Sequence, residues 1–165
     1  MSKKYQMKAV LLTNKPILEK MLQVYFHEMN QYNSDKPNEN GIYEYPYLHL
    51  YWEEANRFPY FIMNENEPIG FALVNDFVID ENFKAQYSIA EFYIKPAYRK
   101  RNIGKQIAYQ IFNKYKGKWE IRQEIANLDA QHFWRKIITE FTKGNFKEKE
   151  IHQKDYSTNV ILFKS

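Results

Sequence analysis

The sequence predicts a mixed α/β chain, of the α/β or α+β kind, with about four helices covering the faces of a mostly antiparallel sheet of about seven strands. Apolar residues switch between helix-like and strand-like periods in the order βααβββαβαββ. Two of the strand-like runs are separated by only four residues, which brings them together as an antiparallel hairpin. A later strand, helix and strand follow one another closely enough to form a crossover unit, so the sheet is mixed and carries helices on its faces. With 165 residues, 44% of them hydrophobic and 27% charged, residues 1–165 are expected to form one domain with a core of its own.

Residues 7–12 read as the first strand. Pro16 then stands where a helix begins, Asn14 is a candidate N-cap, and Ile17, Leu18, Met21, Leu22, Tyr25 and Met29 follow at helical spacing. Residues 33–41 are polar and contain Pro37 and Gly41, which marks a loop. Leu48, Tyr51, Trp52 and Ala55 lie on one face of a second expected helix that ends by Pro59. Residues 60–64 and 69–79 form the predicted hairpin, and residues 88–94 the next strand. Beyond Pro96, the positions Ile103, Ile107, Ala108, Ile111, Phe112 and Tyr115 trace an amphipathic helix stopped near Gly117. A strand over 119–125 precedes a helix marked by Ala130, Phe133, Trp134, Ile137, Ile138 and Phe141 and closed by Gly144. Strands over 146–152 and 158–163 complete the chain.

The composition excludes several chemistries. There is no cysteine, which removes disulfide scaffolds, thiol catalysis and cysteine-ligated zinc. His27, His49, His132 and His152 show no metal-ligand spacing, and Ser88 lies in no nucleophile elbow, so no metal and no serine chemistry is expected. Residues 1–8 are basic, but the apolar stretch behind them spans only residues 9–12, too short for a signal-peptide core. No run is long enough to cross a bilayer, so the expectation is a cytoplasmic protein with no membrane partner.

The formal charge of +4 is unevenly spread: Lys95, Arg99, Lys100, Arg101 and Lys105 fall in one short stretch. Residues 90–108 read as a strand, a basic turn and a helix, an arrangement that captures anions. The first N–H groups of a helix have no intrahelical acceptor and sit at the positive end of its dipole. Gly104 permits close backbone approach, and Asn102 is among the few residues other than glycine that tolerate left-handed geometry. The loop is not a Walker A motif, because Gln106 follows Gly104-Lys105 and no glycine stands five positions earlier; no GxGxxG occurs either.

The stretch Arg99-Lys100-Arg101-Asn102-Ile103-Gly104, preceded by Pro96 and Tyr98, resembles motif A of the GNAT acetyltransferases, Arg/Gln-x-x-Gly-x-Gly/Ala, with Asn102 in the first glycine position. Downstream, the run from Asn127 through Ala130 to Phe133 and Trp134 resembles the family's motif B, Asn-x-x-Ala-x-x-Phe-Tyr, with Trp134 in the tyrosine position. The resemblance implies an N-acetyltransferase that moves the acetyl group of acetyl-CoA directly to a primary amine, of a small molecule or of a peptide or protein, in a ternary complex. It implies a coenzyme site where the fourth and fifth strands splay apart. Phe92, Tyr93 and Ile94 would meet the pantetheine arm, Arg99, Lys100, Arg101, Asn102, Ile103, Gly104 and Lys105 the pyrophosphate, and Asn127, Phe133 and Trp134 the opposite wall. A homodimer is common in the family.

Acetyl transfer needs a base for the amine and benefits from an acid for the thiolate. Glu91, on the strand where the family often places a glutamate, is the candidate base. No acid is assigned: Trp134 cannot donate a proton of suitable acidity, and Tyr93 and Tyr98 are merely close in sequence. The aromatic and acidic run over residues 43–54 offers Glu44, Tyr51 and Glu53 as an acceptor wall, against the alternative that Leu48, Tyr51 and Trp52 face the core and the glutamates face solvent. Two other functions stay open, a catalytically silent CoA binder and a nucleic-acid-binding module using the basic turn with Lys114, Lys116 and Lys118.

Overall fold

The computed structural model describes residues 5–165, so the first half of the basic N-terminal stretch, residues 1–4, lies outside it. Strand β1 (Gln6–Ala9) leads through a 3-10 turn into α1 (Lys15–Met29), a long loop and the single helical turn α2 (Leu50–Glu53). The hairpin β2 (Phe58–Asn64) and β3 (Glu67–Asn75) follows, then β4 (Tyr87–Ile94), α3 (Ile103–Lys114), β5 (Lys118–Glu124), α4 (Leu128–Thr142), β6 (Phe146–His152) and β7 (Ser157–Lys164). The strands form one sheet in the order β1-β2-β3-β4-β5-β7-β6. Every neighbouring pair is antiparallel except β4 with β5.

Alternation along the central strands builds two cores, one on each face. Phe61, Phe71, Leu73 and Tyr93 point toward α1 and α2 and pack with Leu18, Leu22, Leu48 and Tyr51. Their sequence neighbours Tyr60, Ile62, Ala72 and Val74 point the other way, joining Ile103, Ile107, Ile111 and Phe112 of α3 and Trp134, Ile137 and Ile138 of α4. The buried Phe112 ring meets Trp119 and Phe163 edge-on, each pair adding about 1 kcal/mol beyond the area it buries.

The sheet is nearly severed at its centre. Strands β4 and β5 pair only at Tyr87 with Trp119 and Ser88 with Glu120, after which they share no register. Just beyond, Glu91 pairs with Leu73 and Ile89 with Val74, so Ala90 is an unmatched bulge residue in β4. A bulge adds twist and bend to its strand, here where β4 parts from β5.

The element order and the two-faced sheet are as the sequence predicts; several boundaries differ, the hairpin strands starting at Phe58 and Glu67 and leaving a loop of two residues rather than four. The second helix is one turn rather than the stretch from Leu48 to Ala55, although Leu48 and Tyr51 are buried as expected. The preceding residues make consecutive turns instead, which present the same apolar positions inward. Strand β3 ends at Asn75 rather than Ile79, because the Asn75 side-chain oxygen accepts the N–H of Phe77 and turns the chain out of the ladder. Strand β1 stops at Ala9, where the chain begins to turn toward α1 and leaves Leu11 and Leu12 exposed.

Candidate active site

Two adjoining cavities occupy the opening between β4 and β5. They share the walls Tyr25, Met29, Phe92, Asn127, Ala130 and Phe133, and they differ in charge.

The larger cavity, about 860 Å³, runs along β4 to the start of α3 and is lined by Tyr93, Ile94, Arg99, Lys100, Asn102, Ile103, Gly104 and Lys105. Asn102 caps α3 in left-handed geometry, with φ of 64°, the conformation for which asparagine is the usual non-glycine choice. It aims the free N–H groups of Ile103, Gly104 and Lys105 out of the helix end, while the N–H of Gln106 is the first to bond back, to the Asn102 carbonyl at 3.3 Å. Gly104 is required by the ring of Phe133: a Cβ there would lie 2.6 Å from it. Asn127 works as a helix cap, its side-chain oxygen accepting the N–H of Ala130 at 3.0 Å, which explains the spacing of Asn127 and Ala130.

Two of the cations lining this cavity are held by carboxylates. The Arg99 guanidinium donates to both oxygens of Glu28 on α1, at 2.5 and 2.8 Å, donates through Nε to the Ile94 carbonyl and lies over the Tyr93 ring. Lys105 pairs with Glu140 of α4 at 2.5 Å. Arg101 does not line the cavity; its guanidinium lies over Tyr98.

The smaller cavity, about 540 Å³, opens on the other side of Phe92 and Phe133 and carries carboxylates. Glu91 stands in its wall on the α1 face of β4. Burial pushes its carboxyl up to about 7, against the opposing influence of the Tyr25 hydroxyl and Arg122; Glu124 and Asp35 push the same way as burial. Tyr25 is itself held well above its usual value by burial and by Glu91, so it is a protonated donor toward the carboxylate. Glu124 is raised too, first by burial and then by Asp35. Trp134 lines this cavity rather than the larger one and meets Phe92 edge-on at 5.1 Å between centroids.

The expected acceptor wall lies elsewhere. Glu44 accepts from Asn38 on the surface, Glu53 is exposed beside His49 of its own helical turn, and Tyr51 is buried in the core, where its hydroxyl accepts from Asn75. None of the three lines either cavity. The smaller cavity is lined instead by Tyr25, Asp35 and Glu124. A signal for Glu124 is visible in the sequence: Glu120, Arg122 and Glu124 put three charges on one face of a central strand, which an ordinary buried strand does not carry.

A helix N-terminus ringed by cations thus meets a carboxylate-lined chamber across one aromatic wall. The sequence profile of the acetyltransferase (GNAT) family matches residues 22–138, more than half the chain, and the chain belongs to that family, the acetyl-CoA-dependent N-acetyltransferases. Solved structures agree in fold. An acetyltransferase from Thermus thermophilus superposes with a TM-score of 0.66 at 12% identity, covering 98% of this chain and 97% of its own. The aminoglycoside acetyltransferase AAC(6')-Ib in complex with coenzyme A and kanamycin gives 0.65 at 15%, over 97% and 94%. The ribosomal-protein-S18-alanine N-acetyltransferase from Escherichia coli gives 0.61 at 9%, over 97% and 93%. A search of curated protein sequences returns no match. Among the described residues no helix is long and apolar enough to cross a membrane.

Proposed function

We propose that the chain transfers acetyl groups from acetyl-CoA to a primary amine, with the coenzyme in the larger cavity and the amine in the smaller one. The observation that carries the reading is the position of Glu91, a half-buried carboxyl that titrates near neutrality next to the wall both cavities share. Phe92, Tyr93 and Ile94 line the pantetheine channel, and Arg99, Lys100, Asn102, Ile103, Gly104 and Lys105 surround the diphosphate. The residues fit such a group: a helix N-terminus, three cationic side chains and a glycine that leaves room for the Phe133 ring.

An ammonium must lose one proton to become a nucleophile and a second as the amide forms, while the thiolate regains one. The carboxylate form of Glu91 accepts a proton from the amine, directly or through water, and Tyr25 keeps that carboxylate oriented. Tyr25 is a poor general acid because its environment raises rather than lowers its pKa, and the indole of Trp134 is none, so no side chain is assigned to protonate the thiolate.

The test is a calorimetric titration of acetyl-CoA into the protein, followed by a thiol-release assay across an amine panel. Micromolar binding, with turnover lost in Glu91→Gln but binding kept, supports the reading. Absence of acetyl-CoA binding to the folded protein refutes it.

A further inference from the structure

Glu120, Arg122 and Glu124 occupy alternate positions of β5, so their side chains stand on the face turned toward α1, opposite the core positions Trp119 and Ile121. Glu91 stands on the same face of the neighbouring strand, since it pairs with the core residue Leu73. Arg122 is the one cationic side chain among the described residues that line the cavity of Glu91.

Arg122 is held from several directions. Its Nη1 donates to Glu120 and, at 3.0 Å, to the carbonyl of Phe77, and its guanidinium lies 5.5 Å from the centroid of the Phe77 ring. Glu120 is fully buried and also accepts the N–H groups of Ile79 and Asp80, at 2.9 and 2.8 Å. Asp80 is tied in turn to Lys149 of β6 and accepts the N–H of Phe83 at 2.6 Å. The chain after β3 is thereby strapped to β5 and β6, with the exposed ring of Phe77 at the edge of the cavity. Arg122 cannot swing to solvent without stranding the buried charge of Glu120, which fixes where its own charge sits.

Glu91 is faced by Tyr25 from α1, by Tyr45 and Tyr51 from before and within α2, by Asp35 from the loop after α1, and by Arg122 and Glu124 from β5. Arg57, beyond Tyr51, is engaged by Glu54. Burial first, then Glu124 and Asp35, favour the neutral form of Glu91. The Tyr25 hydroxyl and Arg122 favour the carboxylate, and of these two only Arg122 does so with a charge.

On the reading of Glu91 as the base, we propose that Arg122 is a positioning residue that acts through it: locked into the chamber wall by Glu120, its charge keeps that carboxyl in the proton-accepting form, and its hold on Phe77 fixes the loop at the mouth.

The experiment follows kcat/KM against pH in Arg122→Gln, Arg122→Lys and Glu120→Gln, by thiol release with the amine that the parent turns over fastest. A second readout needs no substrate. Each protein is melted beside its Glu91→Gln counterpart, and the pH at which their stability difference levels off reports the titration of Glu91. Arg122→Gln is expected to move both midpoints up by about one pH unit, with a loss of about fivefold at pH 7 that disappears by pH 9. Arg122→Lys should stay within about 0.3 unit of the parent. Glu120→Gln leaves the guanidinium uncompensated and should move the midpoints down by about half a unit. These opposite signs separate charge from packing, since a loosened loop lowers activity at every pH alike. Midpoints that stay put in Arg122→Gln, that move upward in Glu120→Gln, or that shift as far with lysine as with glutamine overturn the proposal. If Arg122→Gln does not fold, the direction of the Glu120→Gln shift decides it. Full turnover in Glu91→Gln overturns the assignment of the base and the proposal with it, whereas unmoved midpoints remove the part of Arg122 alone.

Discussion

The two cavities that meet at Phe92 and Phe133 handle charge in opposite ways. In the larger one, Arg99 and Lys105 already hold the partners Glu28 and Glu140, so an anion that engages either of them exchanges for an existing carboxylate. In the smaller one, Glu91, Glu124 and Asp35 share a chamber without forming an ion pair among the described residues, and burial first, with their mutual repulsion second, pushes Glu91 and Glu124 toward the neutral form. The first is a cradle whose cations are partly paired and whose helix end presents backbone N–H groups. The second is held in a raised-energy state that a cation relieves. Charge pairs at the protein surface cost little to exchange, whereas burial of a carboxyl such as Glu91 shifts its protonation strongly, which is why the chemistry is expected in the second cavity.

The largest effect should come from Glu91→Gln. A positioned base contributes about 10²–10⁴-fold, so kcat/KM should fall by that order with acetyl-CoA binding nearly unchanged. In the parent, kcat/KM should rise through pH 7 as Glu91 ionises, and the variant should lack that limb. Stability should move the other way. A carboxyl whose folded value is raised costs nothing below its unfolded value near 4.5, costs progressively more up to about 7, and carries the full cost above. The glutamine variant should thus be more stable than the parent at pH 8, by roughly 1–3 kcal/mol, with the difference vanishing toward pH 4 in thermal melts.

Next in size is Gly104→Val, which places atoms inside the Phe133 ring and shifts the wall common to both cavities. Overpacking of this kind costs about 1–3 kcal/mol, and acetyl-CoA affinity measured by calorimetry should drop about tenfold or more. Smaller still is Glu28→Gln. It frees Arg99 for the diphosphate and should tighten acetyl-CoA about two- to fivefold, since a solvent-accessible pair is worth ~1 kcal/mol at most. A weaker affinity in that variant would show that Glu28 positions Arg99 rather than competing for it. Smallest is Glu53→Gln, which touches neither cavity and should leave the acceptor KM within about twofold, as expected of a surface change.

Much of the larger cavity is legible in the chain because its recognition is local. A proline, a basic turn, an asparagine able to adopt positive φ and a glycine at the start of a helix all sit within a dozen residues, and the fold brings Arg99, Lys100, Asn102, Gly104 and Lys105, though not Arg101, to the cavity wall. Gly104 serves a different neighbour than a ligand alone, the Phe133 ring, which comes from a helix two elements later. The smaller cavity is assembled from α1, the loop carrying Asp35, β4, β5 and the start of β7, so no window of sequence contains it. Tyr25 shows the difficulty. Its helical spacing marks it as a core residue, and it does pack on Phe71 and Tyr93, but its hydroxyl end faces Glu91. The run over residues 43–54 is misleading for the converse reason: its glutamates share a segment with buried aromatics, and the chain turns them outward.

The seam between β4 and β5 also bears on how the molecule endures outside the catalytic cycle. Two residue pairs join its halves along that line, helped by the grip of Glu120 on the chain at Ile79 and Asp80 and of Gln86 on Lys118. A molecule lodged in the seam would act as a removable keystone. Ligand occupancy at 100 times the dissociation constant adds about 2.7 kcal/mol to any fold that alone can bind it. Resistance to heat and to proteases would then follow the supply of that ligand, so that abundance of the protein is tied to the metabolic state it serves.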